Sequence, residues 1–317
     1  MNGNMSPDDL VAGYRFVLGR NPEAELNTEA AARSFSDWQQ FRHCLFSSEE
    51  GKNTVYEQLF GTSQKWLRVP TKFGRLIYLC LSDIAVSKVI LLKGEWEPEV
   101  EKGIRSLITP DSVFVDVGAN LGWFSLLVAD YQERNSGSGH VISIEANPAI
   151  LPYLMSSIVE SGLAPRVSLK PYAIAEKTGL VQMETFSEGN VGGINIKKLQ
   201  DNGKARNIVP TISLDDLLGD LDRIDLIKMD IEGAEPLALE GAKDLLRRHR
   251  PKIIMELNGV GLRGVSGKTE EDVVKYMEDY GYKVYDFRSN NPIPMTVDSI
   301  SDIIKMHSYY DFLFFPE

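Results

Sequence analysis

The chain has 317 residues, 43 % of them apolar and 25 % charged, the balance of a soluble globular protein with room for one large domain and a smaller one. Acidic residues outnumber basic ones 45 to 34, and a formal net charge of -11 repels phosphate backbones, so nucleic acid is not an expected partner. The opening residues have neither the basic flank nor the apolar run of a secretion signal, and no apolar stretch reaches the roughly 18 residues of a membrane span, so no transmembrane segment and a cytoplasmic location are expected.

Residues 1–62 read as a small helical module. Leu10, Val11, Tyr14, Val17 and Leu18 recur at helical spacing, and Phe35, Trp38, Phe41, Cys44 and Leu45 do the same. Exposed aromatic positions here would allow a homo-oligomer. Cys44 and Cys80 stand far apart, outside metal-ligand spacing, and read as ordinary thiols. Residues 63–110 read as a β-rich lead-in of three short runs, "KWLRVP", "GRLIYLCL" and "SKVILLKG".

From Asp111 to Glu317 short apolar strands alternate with helical segments. "SVFVDVG" precedes "WFSLLVADYQE", "HVISIEANP" precedes "AILPYLMSSIVESG", and "VSLKPYAIA" precedes a polar excursion. "DLIKMD", "PKIIMELN" and their helices follow, with "YKVYDF" and "YYDFLFFPE" as closing strands. The alternation predicts a doubly wound α/β fold, a mostly parallel sheet with helices on both faces.

Such sheets bind ligands at the carboxyl ends of their strands, near the point where strand order reverses. "FVDVGANLGWFSLL" sits at such an end. A dinucleotide fingerprint would place glycines where Asn120 and Trp123 stand, so Gly118 and Gly122 make a turn that suits a pyrophosphate poorly. Asp116 is an acid able to meet a cationic amino group, directly or through water. Glu145 ends the next strand, where a carboxylate can accept both hydroxyls of a ribose. A ribose and a positive end without a pyrophosphate describe S-adenosylmethionine. Alone, the glycine pair would be only a tight turn, and Glu145 only a solvated loop residue.

These residues resemble the FkbM-type S-adenosylmethionine-dependent methyltransferases. The resemblance rests on "GEWEPEV", "VFVDVGANLGWFSLL", "VISIEANP", "PYAIAEKTG", "ISLDDLL", "DLIKMDIEGAEPLALEGAKDLL", "IIMELN" and "YDFLFFP", in the family's order, with "KMDIEGAE" its most distinctive element. It implies a Rossmann-like class I domain with a seven-stranded sheet, and methyl transfer to a hydroxyl with S-adenosylhomocysteine as product. It also implies cofactor contacts by Glu97 at the amino-acid end, by Asn147 beside Glu145 at the ribose, and by Tyr172 and Ala173 at the adenine. For Tyr172 and Ala173 ordinary strand packing is the other reading. The N-terminal part is similar to a module found beside bacterial enzymes of surface-sugar assembly.

A hydroxyl needs a general base before it attacks a sulfonium methyl. Asp230 and Glu232 follow a strand in "KMDIEG", and Glu256 ends the next, so these three are the candidate catalytic acids. Neighbouring carboxylates raise one another's pKa, which suits one of them to be the base. Glu232 could instead cap the helix expected to begin at Ala234, Glu256 could bond a loop amide, and Asp230 could bind only the cofactor. Strand alternation puts Lys228 on the face of Asp230, to pair with it or to touch the acceptor. "FSEGNVGGINIKK", with Gly189, Gly192 and Gly193, reads as a mobile loop over the acceptor or as a hairpin turn. Asp230, Glu232, Glu256 and Asn258 are oxygen ligands that could hold magnesium, but their spacing differs from that of the magnesium-dependent enzymes, so no metal is expected. The expected acceptor is a saccharide hydroxyl of a polysaccharide, lipopolysaccharide or glycolipid, with a polyketide or other secondary metabolite as the alternative. Trp96, Trp123 and Tyr172 could stack on a sugar ring or simply fill the core. A nucleotide-binding enzyme and a non-catalytic scaffold are the readings from other classes.

Overall fold

The computed structural model describes residues 66–83, 85–185, 194–198, 207–288 and 292–317, with scattered positions before 66, of which 26–35 is the longest run. Strands β1 (Trp66–Pro70) and β2 (Leu76–Cys80) form an antiparallel hairpin. It lies against the helix Leu151–Glu160, and the hydroxyls of Ser161 and Ser157 accept from the amides of Leu76 and Tyr78. The third run of the expected lead-in is not a strand. "SKVILLKG" falls within the helix Val86–Lys93, which ends at Gly94 in the left-handed region. Its apolar residues suit a buried helix as well as a strand, and so short a run does not separate the two. A second helix, Pro98–Leu107, completes this segment.

The main sheet takes β3 (Val113–Val117), β4 (His140–Ile144) and β5 (Val167–Lys170). The chain then leaves it for a smaller sheet of β6 (Ala173–Ile174), β7 (Gly179–Thr185), β8 (Ile194–Lys198) and β9 (Ile208–Ile212). It returns through β10 (Leu226–Met229), β11 (Lys252–Asn258), β12 (Tyr282–Asp286), β13 (Ile293–Pro294) and β14 (Tyr309–Pro316). The strand order is β13-β12-β14-β11-β10-β3-β4-β5. From β11 to β5 the neighbours are parallel, while β14 runs antiparallel to both β11 and β12. The doubly wound expectation holds with one correction: the sheet is mixed and has eight strands rather than seven, because the two-residue β13 adds an edge to β12.

Period-two alternation splits each central strand between two cores. Val115, Val117, Ile227, Met229 and Met255 face one layer of helices, whereas Phe114, Leu226 and Ile254 face the other. Both faces are therefore covered, which explains why these strands are apolar throughout. In the N-terminal part Leu10, Ala32 and Phe41 are buried together, and Leu91 and Leu92 pack against them. Val17, Leu18, Trp38 and Leu45 of the expected helical faces lie outside the described residues. So do Gly189, Gly192 and Gly193, although β7 and β8 on either side pair antiparallel from Thr185 with Ile194, as a hairpin requires. Among the described residues no helix is long and apolar enough to cross a membrane.

Candidate active site

Strand order reverses at β3, which has β4 on one side and β10 on the other. The turns that leave β3 and β10 touch backbone to backbone. Gly118 has φ +81°, and a Cβ built there would lie 1.9 Å from the carbonyl oxygen of Asp230. Only glycine fits this position, on both conformational and steric grounds. Asn120 follows with φ 52°, and its amide donates to Glu145 Oε2 at 2.8 Å. The amide of Asn147 donates to Oε1 of the same carboxylate at 2.7 Å, so Glu145 is held from both sides. After Asp230 the chain turns sharply again, with φ 57° at Glu232 and φ +98° at Gly233. A Cβ at Gly233 would sit 2.1 Å from the carbonyl carbon of Gly261, in the helix Gly259–Val265 that β11 feeds.

Two cavities open on either side of this seam and share Gly118, Asn120, Asp230 and Glu232 as their common wall. The first lies under the smaller sheet, encloses about 80 Å³ and adds Glu145, Tyr172, Ala173, Ile174, Met183 and Ile196. The second encloses about 270 Å³ and adds Trp96, Glu97, Lys228, Glu256, Asn258 and Tyr309. Trp96, Glu97 and Tyr309 also border a third cavity further out, which reaches Arg288, His307 and Asp311.

Charge is distributed unevenly around the second cavity. Lys228 is 3 % exposed, stands beside Asp116 in the β3–β10 register and donates to Asp230 Oδ2 at 2.8 Å. Burial works against its charge, but Asp230, Glu97 and Asp116 outweigh that and raise its pKa. Glu97 is pushed up to about 8 by burial and by Asp311, and its Oε2 is buried without a partner. Glu232 is pushed up to about 7 by burial and by Asp230. Glu256 stands well above the ordinary carboxylate range through burial and the nearby charges of Asp230 and Asp311. Among the described residues no hydrogen bond or ion pair reaches the carboxyl groups of Glu232 and Glu256. Unpaired, half-enclosed carboxyl groups with raised pKa values are suited to taking a proton near neutrality.

Residues 116–284, just over half of the chain, match the family model of the methyltransferase FkbM domain. The chain belongs to the FkbM methyltransferase family. Among solved structures, an FkbM methyltransferase from Methylobacillus flagellatus is 20 % identical with a TM-score of 0.41, over 66 % of this chain and 45 % of that one. A precorrin-6y C5,15-methyltransferase from Geobacter metallireducens is 14 % identical with a TM-score of 0.39, over 74 % and 94 %. The M. jannaschii tRNA m1G37 methyltransferase is 12 % identical with a TM-score of 0.41, over 81 % and 56 %. The chain thus spans less than half of the length of the Methylobacillus protein. No curated protein matches the sequence.

Within this FkbM-family chain, Asp230, Glu232, Gly118 and Asn120 meet at the shared wall, with Glu145, Tyr172 and Ala173 on one side and Glu97 and Glu256 on the other. Three residues named from the sequence line neither cavity. Asp116 is 1 % exposed beneath the Gly118 turn, where Oδ2 accepts from the Ser125 hydroxyl at 2.6 Å and Oδ1 has no partner. Gly122 is a packing position, since a Cβ there would meet Leu154 at 2.4 Å. Asn147 is 4 % exposed, and its Oδ1 accepts from the amide of Ala149. Glu232 is not a helix cap: the helix is Glu235–Glu240 with Ala234 as N-cap, and no side chain caps it. Asn258 is a cap, its Oδ1 accepting from the amides of Val260 and Gly261, so that oxygen is already engaged. Among the described residues no three His, Cys, Asp or Glu side chains are grouped so as to hold a metal ion.

Asp311, Glu235 and the apolar residues of the smaller sheet were not foreseen. Asp311 pairs with Glu256 across β11 and β14, is 5 % exposed and is pushed up to about 6 by burial. A single acid inside the apolar run "YYDFLFF" was the available signal, since a buried carboxyl is costly unless it has a task. Glu235 stood in the quoted motif without a role.

Proposed function

We propose that the protein is an S-adenosylmethionine-dependent O-methyltransferase acting on a saccharide hydroxyl. The observation that supports this best is the pair of cavities meeting at Gly118, Asn120, Asp230 and Glu232. A transfer between two bound molecules needs them held against one another, because alignment supplies much of the rate, and two cavities that meet along shared residues allow it.

The first cavity suits an adenosine. Glu145 offers a buried carboxylate, fixed by two amides, to a pair of vicinal hydroxyls. Ile174, Met183 and Ile196 supply apolar surface for a purine, and no Lys or Arg is among the described residues lining this cavity to neutralise a phosphate. Asp230 borders the second cavity as counter-charge for a cationic amino-acid end, and Glu97, with its orphaned Oε2, would ionise or accept a hydrogen bond beside that cation. When bound, S-adenosylmethionine supplies a methyl group on a sulfonium, and the electron pair of the broken S–C bond stays on sulfur. Asp230 lies on both sides of the wall and orients the two partners. The acceptor hydroxyl loses its proton to a base drawn from Glu232 and Glu256, whose carboxyl groups have no partner among the described residues. Trp96 and Tyr309 are the aromatic faces at the outer rim on which a sugar ring would stack.

Titration calorimetry with S-adenosylhomocysteine tests the reading without knowledge of the acceptor. Saturable one-to-one binding that is weakened in Glu145→Ala is expected. No binding to the wild-type protein would sink the methyltransferase assignment and favour a scaffold.

A further inference from the structure

Glu235 lines neither cavity, yet it is fully buried at the start of the helix Glu235–Glu240. Its Oε1 accepts from the amide of Ile231 at 2.9 Å and from that of Gly233 at 3.3 Å, while Oε2 has no partner. Both donors precede the N-cap residue Ala234. The carboxyl group therefore does not cap its own helix but bonds the turn leading into it, and that turn contains Glu232. The turn needs such a restraint. Glu232 occupies the left-handed region with a full side chain, a conformation ordinarily held only where the surroundings impose it. Gly233 presses against Gly261 with no room for a side chain between them, so no packing contact of its own can set the angle. On the opposite side, Gly118 presses against the carbonyl of Asp230. Gly261 is in turn fixed through Asn258, whose Oδ1 accepts from its amide.

We infer that Glu235 is the positioning residue of the transfer site: its carboxyl holds the 231–233 turn in the one conformation that sets both Asp230 and Glu232 into the wall shared by the two cavities. The inference rests on the methyltransferase reading for what the wall does, but not for how the wall is held. It separates two roles that a single motif contains. In "DIEGAE" the first two acids face the ligands, and the third fixes the backbone between them.

The test compares Glu235→Ala, Glu235→Gln and the wild type by calorimetry with S-adenosylmethionine and S-adenosylhomocysteine, together with thermal melting. Glutamine keeps Oε1 for both amides and is expected to bind each ligand within about twofold of the wild type. Alanine frees the turn, and its affinity for S-adenosylmethionine is expected to fall about tenfold or more at a temperature where the variant remains folded. That loss should exceed the loss for S-adenosylhomocysteine, because the charged sulfonium senses a displaced Asp230. A residue that merely supports folding would lower the melting temperature and leave this ratio unchanged. Equal ratios in Glu235→Ala and the wild type would overturn the inference. If the alanine variant does not fold, Glu235→Asp takes its place: one methylene too short to reach both amides, it should show the same change of ratio, and an unchanged ratio would likewise overturn the inference. A wild-type protein that binds neither ligand refutes the methyltransferase reading, a result distinct from any of these.

Discussion

The two cavities are built from the same turns and yet surround their acids with different partners. On the side of the smaller sheet, the carboxylate of Glu145 receives two amides and is fixed in place. On the other side, Glu97, Glu232 and Glu256 share a cavity with one lysine that is already committed to Asp230. Amides fix a carboxylate in place and favour its charge. Burial raises the pKa on both sides, at Glu145 against the pull of its amides and at Glu97, Glu232 and Glu256 with the charges of neighbouring acids added to it. The contrast teaches that one edge of a sheet can hold one carboxyl group rigidly and leave others without partners, according to whether backbone amides or other carboxyl groups surround the acid.

The strongest way to break this arrangement is at the lysine pair. Asp230→Ala leaves the buried ammonium of Lys228 without its bonded partner, and a destabilisation of about 3 kcal/mol is expected in urea unfolding. Adding Lys228→Met to that variant should restore most of the loss, and failure to do so would show that Asp230 supports the fold by some other contact. Next in size is Glu145→Ala. It orphans the amides of Asn120 and Asn147 as well as removing a ligand contact, so affinity for S-adenosylhomocysteine should fall about tenfold to a hundredfold. An unaltered dissociation constant would remove Glu145 from the binding site.

The proton-accepting side is sharpened by pH. A base must be deprotonated to act, so with Glu232 at about 7 the turnover should climb as pH rises through about 7 and level off above it. A flat profile between pH 6 and 8 would remove Glu232 from that role, and an unchanged profile in Glu232→Gln would leave Glu256 as the base. Glu235 gives the smallest effect, one of stability. Its folded pKa, pushed up to about 7 by burial, lies above the ordinary value, so its contribution to stability is full below the unfolded pKa and is lost as pH rises through about 7. Glu235→Gln removes the titrating group and should therefore be more stable than the wild type at pH 8 by about 1–3 kcal/mol, with little difference at pH 4.5. Equal melting curves at both pH values would contradict a raised pKa at this position.

Much of this was legible in the sequence, and what was missed has particular causes. β3, β4, β10 and β11 were readable because each is a short apolar run followed by a helix-length segment, and the acids at their ends fell at the sheet edge by connectivity alone. The helix Val86–Lys93 was mistaken for a strand because an eight-residue element with little amphipathic contrast has no period to detect. The smaller sheet was passed over as a polar excursion because its pairing joins β6 to β9 and β7 across tens of residues. Asp116 was correctly placed at a strand end, but its depth, 1 % exposed under the Gly118 turn, depends on a neighbouring turn that the local sequence does not contain. Glu235 was hidden for a related reason: its work is done on the backbone of residues before it, and a motif read one side chain at a time does not show which side chain holds the others.

The contact between Gly118 and the carbonyl of Asp230 has a consequence for how such an enzyme can change. Because the two turns share a surface without any side chain between them, neither can drift without carrying the other, and a change there would disturb both cavities together. The outer rim is under no such constraint. Tyr309, 53 % exposed, and Trp96, packed in part against the core, border the second cavity without a backbone contact across the seam, so on the proposed reading a new acceptor would be accommodated by exchanging residues there. The molecule is in this sense a fixed chuck with a replaceable jaw, and a search for altered acceptors is best begun by randomising Trp96 and Tyr309.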